Sequence, residues 1–421
     1  MVETFQLLFT EEWAIRALIS SSIVGITCGL LGSFIVLRNM ALIGDALAHA
    51  ILPGVVVAFS IVGMSTVAFF IGSVAAGLIT AIIITWIQGN VNTKNDAAIG
   101  IVFTTMFAIG VIGISAANRQ PGVHLDLKDF LFGTTLGINN EDIYLLIGIG
   151  IYVVVSVIVF YRYLFVSTFQ PVIAETMGIS VRKIHYFLMM ILSFMIVASL
   201  KAVGIILVVA MLITPASTAL LLSNKLQNVL VISSLIGFLS AVTGMILAIQ
   251  YDSTPGPMMA VMAAVFYTLA VFFAPKKGLV LKRFRNRQLR NKIHLEDTLK
   301  QAFRLQSKDN LTFKNLQEQL GYNTNLLRNT LNKMVKQNIV QLTPELALTP
   351  TGHDQANKLV RAHRLWETYL VNAMGLSAEQ IHEDAEKYEH LLTDAMLDEV
   401  DAKLGFPKED PHGSPIPPKG Q

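Results

Sequence analysis

Apolar residues run in long blocks along the first two-thirds of the chain and give way to a mixed, charged pattern beyond about Ala274. By the length needed to cross a hydrocarbon core, roughly 20 residues on a helix, nine blocks qualify: 16–37, 41–62, 65–87, 97–117, 141–163, 184–200, 202–222, 228–250 and 257–274. The pair 184–200 and 202–222 is parted only by Lys201, so one broken unit and eight crossings are the alternative. From His294 the period becomes that of amphipathic helices. Leu295, Leu299, Phe303 and Leu305 share a face; residues 311–321 form a short helix closed by Gly321; Asn325 to Lys336 form another. Strand-like runs at 339–342 and 346–348 bracket Pro344 and Glu345 as a small wing. The pattern therefore predicts an all-α polytopic membrane protein carrying a winged helix-turn-helix and further helices. Its expected divisions are 1–275 in the membrane, a basic linker 276–293, a winged-helix domain 294–352 and a helical domain with its tail 353–421.

Composition agrees with that division. The chain has 421 residues, 53% of them hydrophobic and 14% charged, against about 25% charged in soluble proteins. Its single cysteine, Cys28, excludes an internal disulfide and a cysteine-rich zinc site. Glu3, Glu11 and Glu12 precede the first block where a cleaved leader would be basic, so that block is expected to be retained. Eight Lys and Arg residues between 276 and 292 set the C-terminal half on the cytoplasmic side. Counting back, Arg38, Lys94, Arg182 and Lys183 face the cytoplasm as well, and the N-terminus lies outside. The same basic run is expected to attract anionic lipid.

Three places in the membrane half carry chemistry. Asp45 and His49 are one helical turn apart inside an apolar block. For a helix starting near Met40 they fall about 8 and 14 Å along it, which puts His49 near the middle of a ~30 Å core, where ionisable groups are expensive and functional by default. Pro53 lacks the N–H that the His49 carbonyl would otherwise receive, and that oxygen is expected to join the pair as a cation ligand. Residues 170–183 read as a short amphipathic cytoplasmic helix with Ala174 and Glu175, ended by Gly178. Asp252 sits in a tight outer turn, and Pro215 frees the carbonyl of Met211 in mid-span. No G-x-x-x-x-G-K-[ST] occurs, so an ATP-driven mechanism needs a separate ATPase chain. The spans alone also fit a secondary transporter.

In the soluble half, His363 and Glu367 are four apart, and His382, Glu386, Glu389 and His390 follow one helical face. Two imidazoles with two carboxylates suit manganese or iron better than a thiolate-seeking ion. Arg328, Lys333 and Lys336 on the second helix of the helix-turn-helix are the candidate phosphate contacts.

Residues 1–280 resemble the membrane subunit of metal-chelate type ABC importers for manganese, zinc and iron. The matching segments are GDALAHAILPG at 44–54, KNDAAIGIVFTTMFAIGV at 94–111, DLKDFLFGTTLGI at 126–138, ETMGI at 175–179, VGIILVVAMLITPASTALLLS at 203–223 and DSTPGP at 252–257. The resemblance implies a type II importer fold, a cation pathway through Asp45, His49 and Pro53, and a coupling helix at Ala174, Glu175 and Gly178. It also implies a permease homodimer, a cytoplasmic ATPase subunit and an extracellular metal-binding lipoprotein. Gln170 stands where that family usually has an acid.

Residues 294–417 resemble metal-sensing repressors of the diphtheria toxin repressor and manganese repressor type, through LVRAHRLWETYLVNAMGL at 359–376, IHEDAEKYEHLLTD at 381–394 and DPHGSPIP at 410–417. That resemblance implies Mn2+ (or Fe2+ or Zn2+) as regulatory ligand, with Asp297, His363, Glu386, Glu389 and His390 at manganese-type positions and Glu367 and His382 at ancillary ones. Glu386 in place of a cysteine favours manganese. Lys300 departs from the pattern by standing where a carboxylate is usual. Together the two resemblances imply a metal importer with a cytosolic metal-sensing module, or, in a different class, a membrane-tethered transcription regulator.

Overall fold

A computed structural model describes residues 10–63, 65–119, 138–275, 277–343, 345–374 and 393–419. The chain divides into two compact units, Met1–Leu281 and Lys282–Gln421. Among the described residues, nine helices are long and apolar enough to cross a membrane.

In the first unit, α1 (Glu12–Leu37) lies against two later spans. Small residues make that approach close: Gly25 and Gly29 face the backbone at Gly237 and Ser233, and Ser33 Oγ meets Ser233 Oγ at 2.9 Å. Apolar helices in lipid gain little from burying apolar surface, so backbone proximity and such bonds carry the association. The second span is broken into α2 (Ala41–Ala50) and α3 (Leu52–Val62). Then come α4 (Thr66–Asn90), α5 (Asn95–Ala117), α6 (Asn140–Val159), α7 (Tyr161–Phe169) and α8 (Pro171–Thr176).

The insecure pair of spans is one long helix, α9 (Val181–Leu222), interrupted at Gly204, whose φ of 78° and ψ of 163° are not helical. Only glycine takes that backbone cheaply, so one helical run carries two candidate spans, Val181–Leu200 and Ala202–Leu222. Pro215 leaves α9 continuous. Helices α10 (Leu226–Gln250) and α11 (Pro255–Phe273) complete the unit.

The second unit begins within α12 (Leu279–Gln306). This helix runs through most of the expected linker 276–293 and onward. No Gly or Pro interrupts it, and Leu, Arg and Lys are good helix formers. Next, α13 (Phe313–Leu320) is capped by Thr312 and closed by Gly321, and α14 (Thr324–Lys336) is capped by the Asn323 side chain. Strands β1 (Val340–Gln341) and β2 (Ala347–Leu348) pair antiparallel, Val340 opposite Leu348. The winged-helix core gathers Leu299, Leu316, Leu327, Leu331, Met334 and Val340. Helix α15 (Pro350–Met374) and α16 (Asp394–Lys403) follow. Helix α15 is tied to α16 and to the tail: Arg361 bonds Asp401 on α16 and the Pro417 carbonyl, and Arg364 bonds the Pro415 carbonyl. Ile416 packs with Leu365 and Val400.

Close backbone approach recurs where α3 crosses α4. A Cβ on Gly54 would overlap the carbonyl oxygen of Gly72. Gly54→Ala is therefore expected to destabilise the membrane unit by about 1–3 kcal/mol, the usual cost of overpacking. Thermal unfolding of the detergent-purified chain measures it, and an unchanged midpoint would contradict the contact.

Candidate cation sites

Helix α2 ends at Ala50 because Pro53 two residues inside α3 cannot continue its ladder. The expected free carbonyl of His49 is not free: it accepts from the Ile51 N–H. That expectation is corrected, because the chain tightens at Ile51 and brings its N–H to the abandoned oxygen. The side chains do meet. His49 Nε2 lies 3.4 Å from Asp45 Oδ1. The other ring nitrogen, Nδ1, is buried with no hydrogen-bond partner. Phe103 and Phe107, one turn apart on α5, wall the imidazole at ring-centroid distances of 5.4 and 5.3 Å. A Cβ on Gly110 would crowd Leu52 and Pro53, so this glycine lets α5 reach the break. The result is a carboxylate, half-exposed, beside an imidazole with an unused nitrogen, between aromatic walls. A divalent cation finds both oxygen and nitrogen donors there.

The segment expected to be one helix over 170–183 is shorter. α8 stops at Thr176, and the turn is closed by Gly178 (φ 80°), whose neighbour Ile179 donates to the Ala174 carbonyl. Ser180 then caps α9 by accepting from the Lys183 N–H. Ala174 is buried, Glu175 is exposed, and Val172 and Met177 present 74% and 67% of their surface to solvent. Val172 on this short helix and Met177 just after it are large apolar side chains left bare.

Sequence reasoning missed the anchor of this segment. Arg38, at the C-terminal cap of α1, donates from Nη2 to Ser167 Oγ at 2.7 Å and from Nε to Thr168 Oγ1 at 3.1 Å. Burial pushes its pKa down. On the other side, His185 Nε2 meets Thr85 Oγ1 at 3.1 Å. A basic residue at a span end reads as an inside-facing charge, and nothing local signals its hydroxyl partners. Asp252 adopts φ 48° in an exposed turn, and its neighbour Ser253 donates to the Ala248 carbonyl.

In the second unit, Asp297 Oδ2 accepts from the Tyr322 hydroxyl at 3.2 Å, and that hydroxyl meets His294 Nδ1 at 3.0 Å. Burial, then the Asp297 charge, raise the Tyr322 pKa and keep it a donor. His363 and Glu367 are buried, with Nε2 and Oε1 3.0 Å apart. His382, Glu386, Glu389 and His390 lie outside the described residues. Among the described residues, no three His, Cys, Asp or Glu side chains assemble a metal site. Arg328, Lys333 and Lys336 are exposed on α14.

Comparison with known proteins follows the two units. Residues 10–274 match the family described as ABC 3 transport family, and residues 349–418 match that described as iron dependent repressor, metal binding and dimerisation domain. The manganese transport system membrane protein MntC of Halalkalibacterium halodurans is 44% identical over 284 residues, 68% of this chain and 95% of that protein. The protein of the same name in Bacillus subtilis is 32% identical over 369 residues, 86% of this chain and 85% of its own length. That second alignment is longer than the membrane unit, so it extends into the soluble one. Among solved structures, a chain of PsaBC from Streptococcus pneumoniae in complex with Fab is 38% identical, with a TM-score of 0.59, covering 66% of this chain and 97% of that one.

The Arg38 bonds have a measurable consequence. A hydrogen bond to a charged group contributes about 1.5–3 kcal/mol, which is roughly a 10- to 100-fold change in an opening equilibrium. Arg38→Met is expected to speed amide exchange across 161–169 by that order, read by hydrogen–deuterium exchange mass spectrometry. Unchanged exchange there would remove Arg38 as the anchor.

Proposed function

The chain belongs to the ABC 3 transport family, and from that premise we propose that it is the membrane permease subunit of an ATP-driven importer of divalent metal, manganese foremost, with a cytosolic metal-sensing module. The observation that carries the reading is the Asp45–His49 pair at the break of an apolar span, 3.4 Å apart, with the second imidazole nitrogen unpartnered. A dehydrated cation entering the bilayer needs such donors in place of water. The carboxylate supplies charge, the imidazole a borderline nitrogen, and Phe103 and Phe107 hold the ring and keep the place narrow. The break at Ile51 lets α2 and α3 shift relative to each other without unwinding a longer helix.

The energy source is a separate ATPase chain, since this sequence holds no phosphate-binding loop of its own. Its docking element is α8 with the exposed Val172, Met177 and Glu175. Two permease copies form the pathway unit, and an extracellular metal-binding lipoprotein delivers the ion, with the Asp252 turn on its side. The relatives named for manganese transport support manganese over Fe2+ or Zn2+. The permease itself catalyses no reaction.

The soluble unit lies in the cytosol and reads the imported ion through Asp297 and the stripe His382, Glu386, Glu389 and His390. Binding there favours one arrangement of the module and lowers uptake, by the difference in affinity between arrangements. A second reading, a membrane-tethered transcription regulator, draws on the intact helix-turn-helix with exposed Arg328, Lys333 and Lys336. Salt-dependent, sequence-selective DNA binding by the full chain in detergent would favour it.

In proteoliposomes holding permease and ATPase, Asp45→Asn and His49→Ala are each expected to abolish manganese uptake, at least tenfold below wild type, while the subunits still copurify. Normal uptake by both variants would take the pair out of the pathway. Wild-type uptake that needs no ATPase chain would instead point to a secondary transporter.

A further inference from the structure

The second unit contains a buried ammonium that the importer reading does not use. Lys300 lies on α12 with 6% of its surface exposed, facing α15. Its Nζ is 3.2 Å from His363 Nδ1, and the opposite ring nitrogen is 3.0 Å from Glu367 Oε1. His363 and Glu367 are themselves 4% and 2% exposed. The three side chains thus form a line across the seam between α12 and α15: ammonium, imidazole, carboxylate.

The chemistry of that line is restrictive. An ammonium only donates, so His363 Nδ1 is the acceptor. A neutral imidazole has one lone pair for this purpose, and the proton then sits on Nε2, on the side of Glu367. With its lone pair taken by Lys300, His363 has none left for a metal ion. A divalent cation in contact with His363 would also bring two further positive charges within a few ångströms of a buried ammonium, where screening is weak. Two of the residues that looked like metal ligands in the sequence are therefore arranged around a cation the protein already carries.

We propose that Lys300 is a built-in cation standing in place of a divalent metal at His363 and Glu367, so that the seam between α12 and α15 is joined without metal. The proposal rests on the metal-sensing reading of the module and sharpens it: His363 and Glu367 take no regulatory metal. Burial of an unpaired charge is costly and its partners offset that cost, so the same contact that excludes the ion also stabilises the apo module.

The test counts manganese on the full chain, purified in detergent, by equilibrium dialysis against Mn2+ and elemental analysis. Lys300→Glu removes the ammonium, returns the lone pair to His363 and adds a carboxylate. It is expected to bind one Mn2+ per chain more than wild type, the transport site contributing equally to both. An equal count would overturn the proposal. Should that variant fail to fold, Lys300→Met keeps the stem and loses the charge. Its unfolding temperature in chelator is expected to fall below wild type and to recover with Mn2+; an unchanged temperature in chelator would overturn the tie. A Glu386→Ala, His390→Ala double variant separates the two readings. Loss of one Mn2+ from it supports the sensing site. No loss ends the sensing reading, while the Lys300→Glu count still decides the role of Lys300.

Discussion

The contact between His49 and Asp45, 3.4 Å apart inside an apolar span, sets conditions that the neighbouring elements have to meet. Lipid offers such groups nothing, so protein must surround them. The structure does this with backbone rather than bulk. Gly110 lets α5 approach the Ile51 break closely enough for Phe103 and Phe107 to enclose the imidazole. Gly54 and Gly72 bring α3 and α4 together below it. The break has the same origin. Pro53 removes one helical bond, and the orphaned His49 carbonyl is recovered by the Ile51 N–H, which closes α2 just after His49. Asp45 and His49 are both held within the regular α2 helix, and the break follows them at Ile51.

A short stretch of chain links that break to the α8 segment. Arg38 closes α1, and seven residues later stands Asp45 on α2. The same guanidinium grips Ser167 and Thr168, directly before the α8 segment. After that segment, His185 is tied to Thr85 on α4. On the proposed reading, movement of α8 by an ATPase reaches α2 through Arg38 and α4 through His185, the two helices that flank α3. Coupling of this kind needs packed elements with discrete arrangements rather than a wire of contacts, and the helical runs are interrupted at Ile51 and Gly204.

Much of this was legible in the sequence, for identifiable reasons. Length and apolarity mark every span, because lipid admits few solutions. Thr312, Gly321 and Asn323 announce the ends of α13 and α14, because caps are chemical. Asp45 and His49 stand out because helical spacing puts them on one face. What was not legible depends on distant partners. Arg38 reads as a topology signal, its hydroxyl partners being about 130 residues away. Phe103 and Phe107 look like any apolar pair until α5 is docked. That the basic stretch is helical from Leu279 onward follows from propensity but is masked to the eye by its charge density. The line from Lys300 through His363 to Glu367 is the sharpest case. Spacing suggested a metal pair at His363 and Glu367, and only the fold brings a lysine from 63 residues away onto the imidazole.

A fixed cation and an exchangeable one do different work. A divalent ion stabilises whichever arrangement binds it better, so a seam it holds opens when the ion is scarce. An ammonium on the same ligands holds at every metal concentration. On the proposed reading, Lys300 joins α12 to α15 at every metal concentration, so the winged helix and α15 stay together. On that reading the exchangeable ion acts elsewhere in the module, and reading it once is sufficient for feedback.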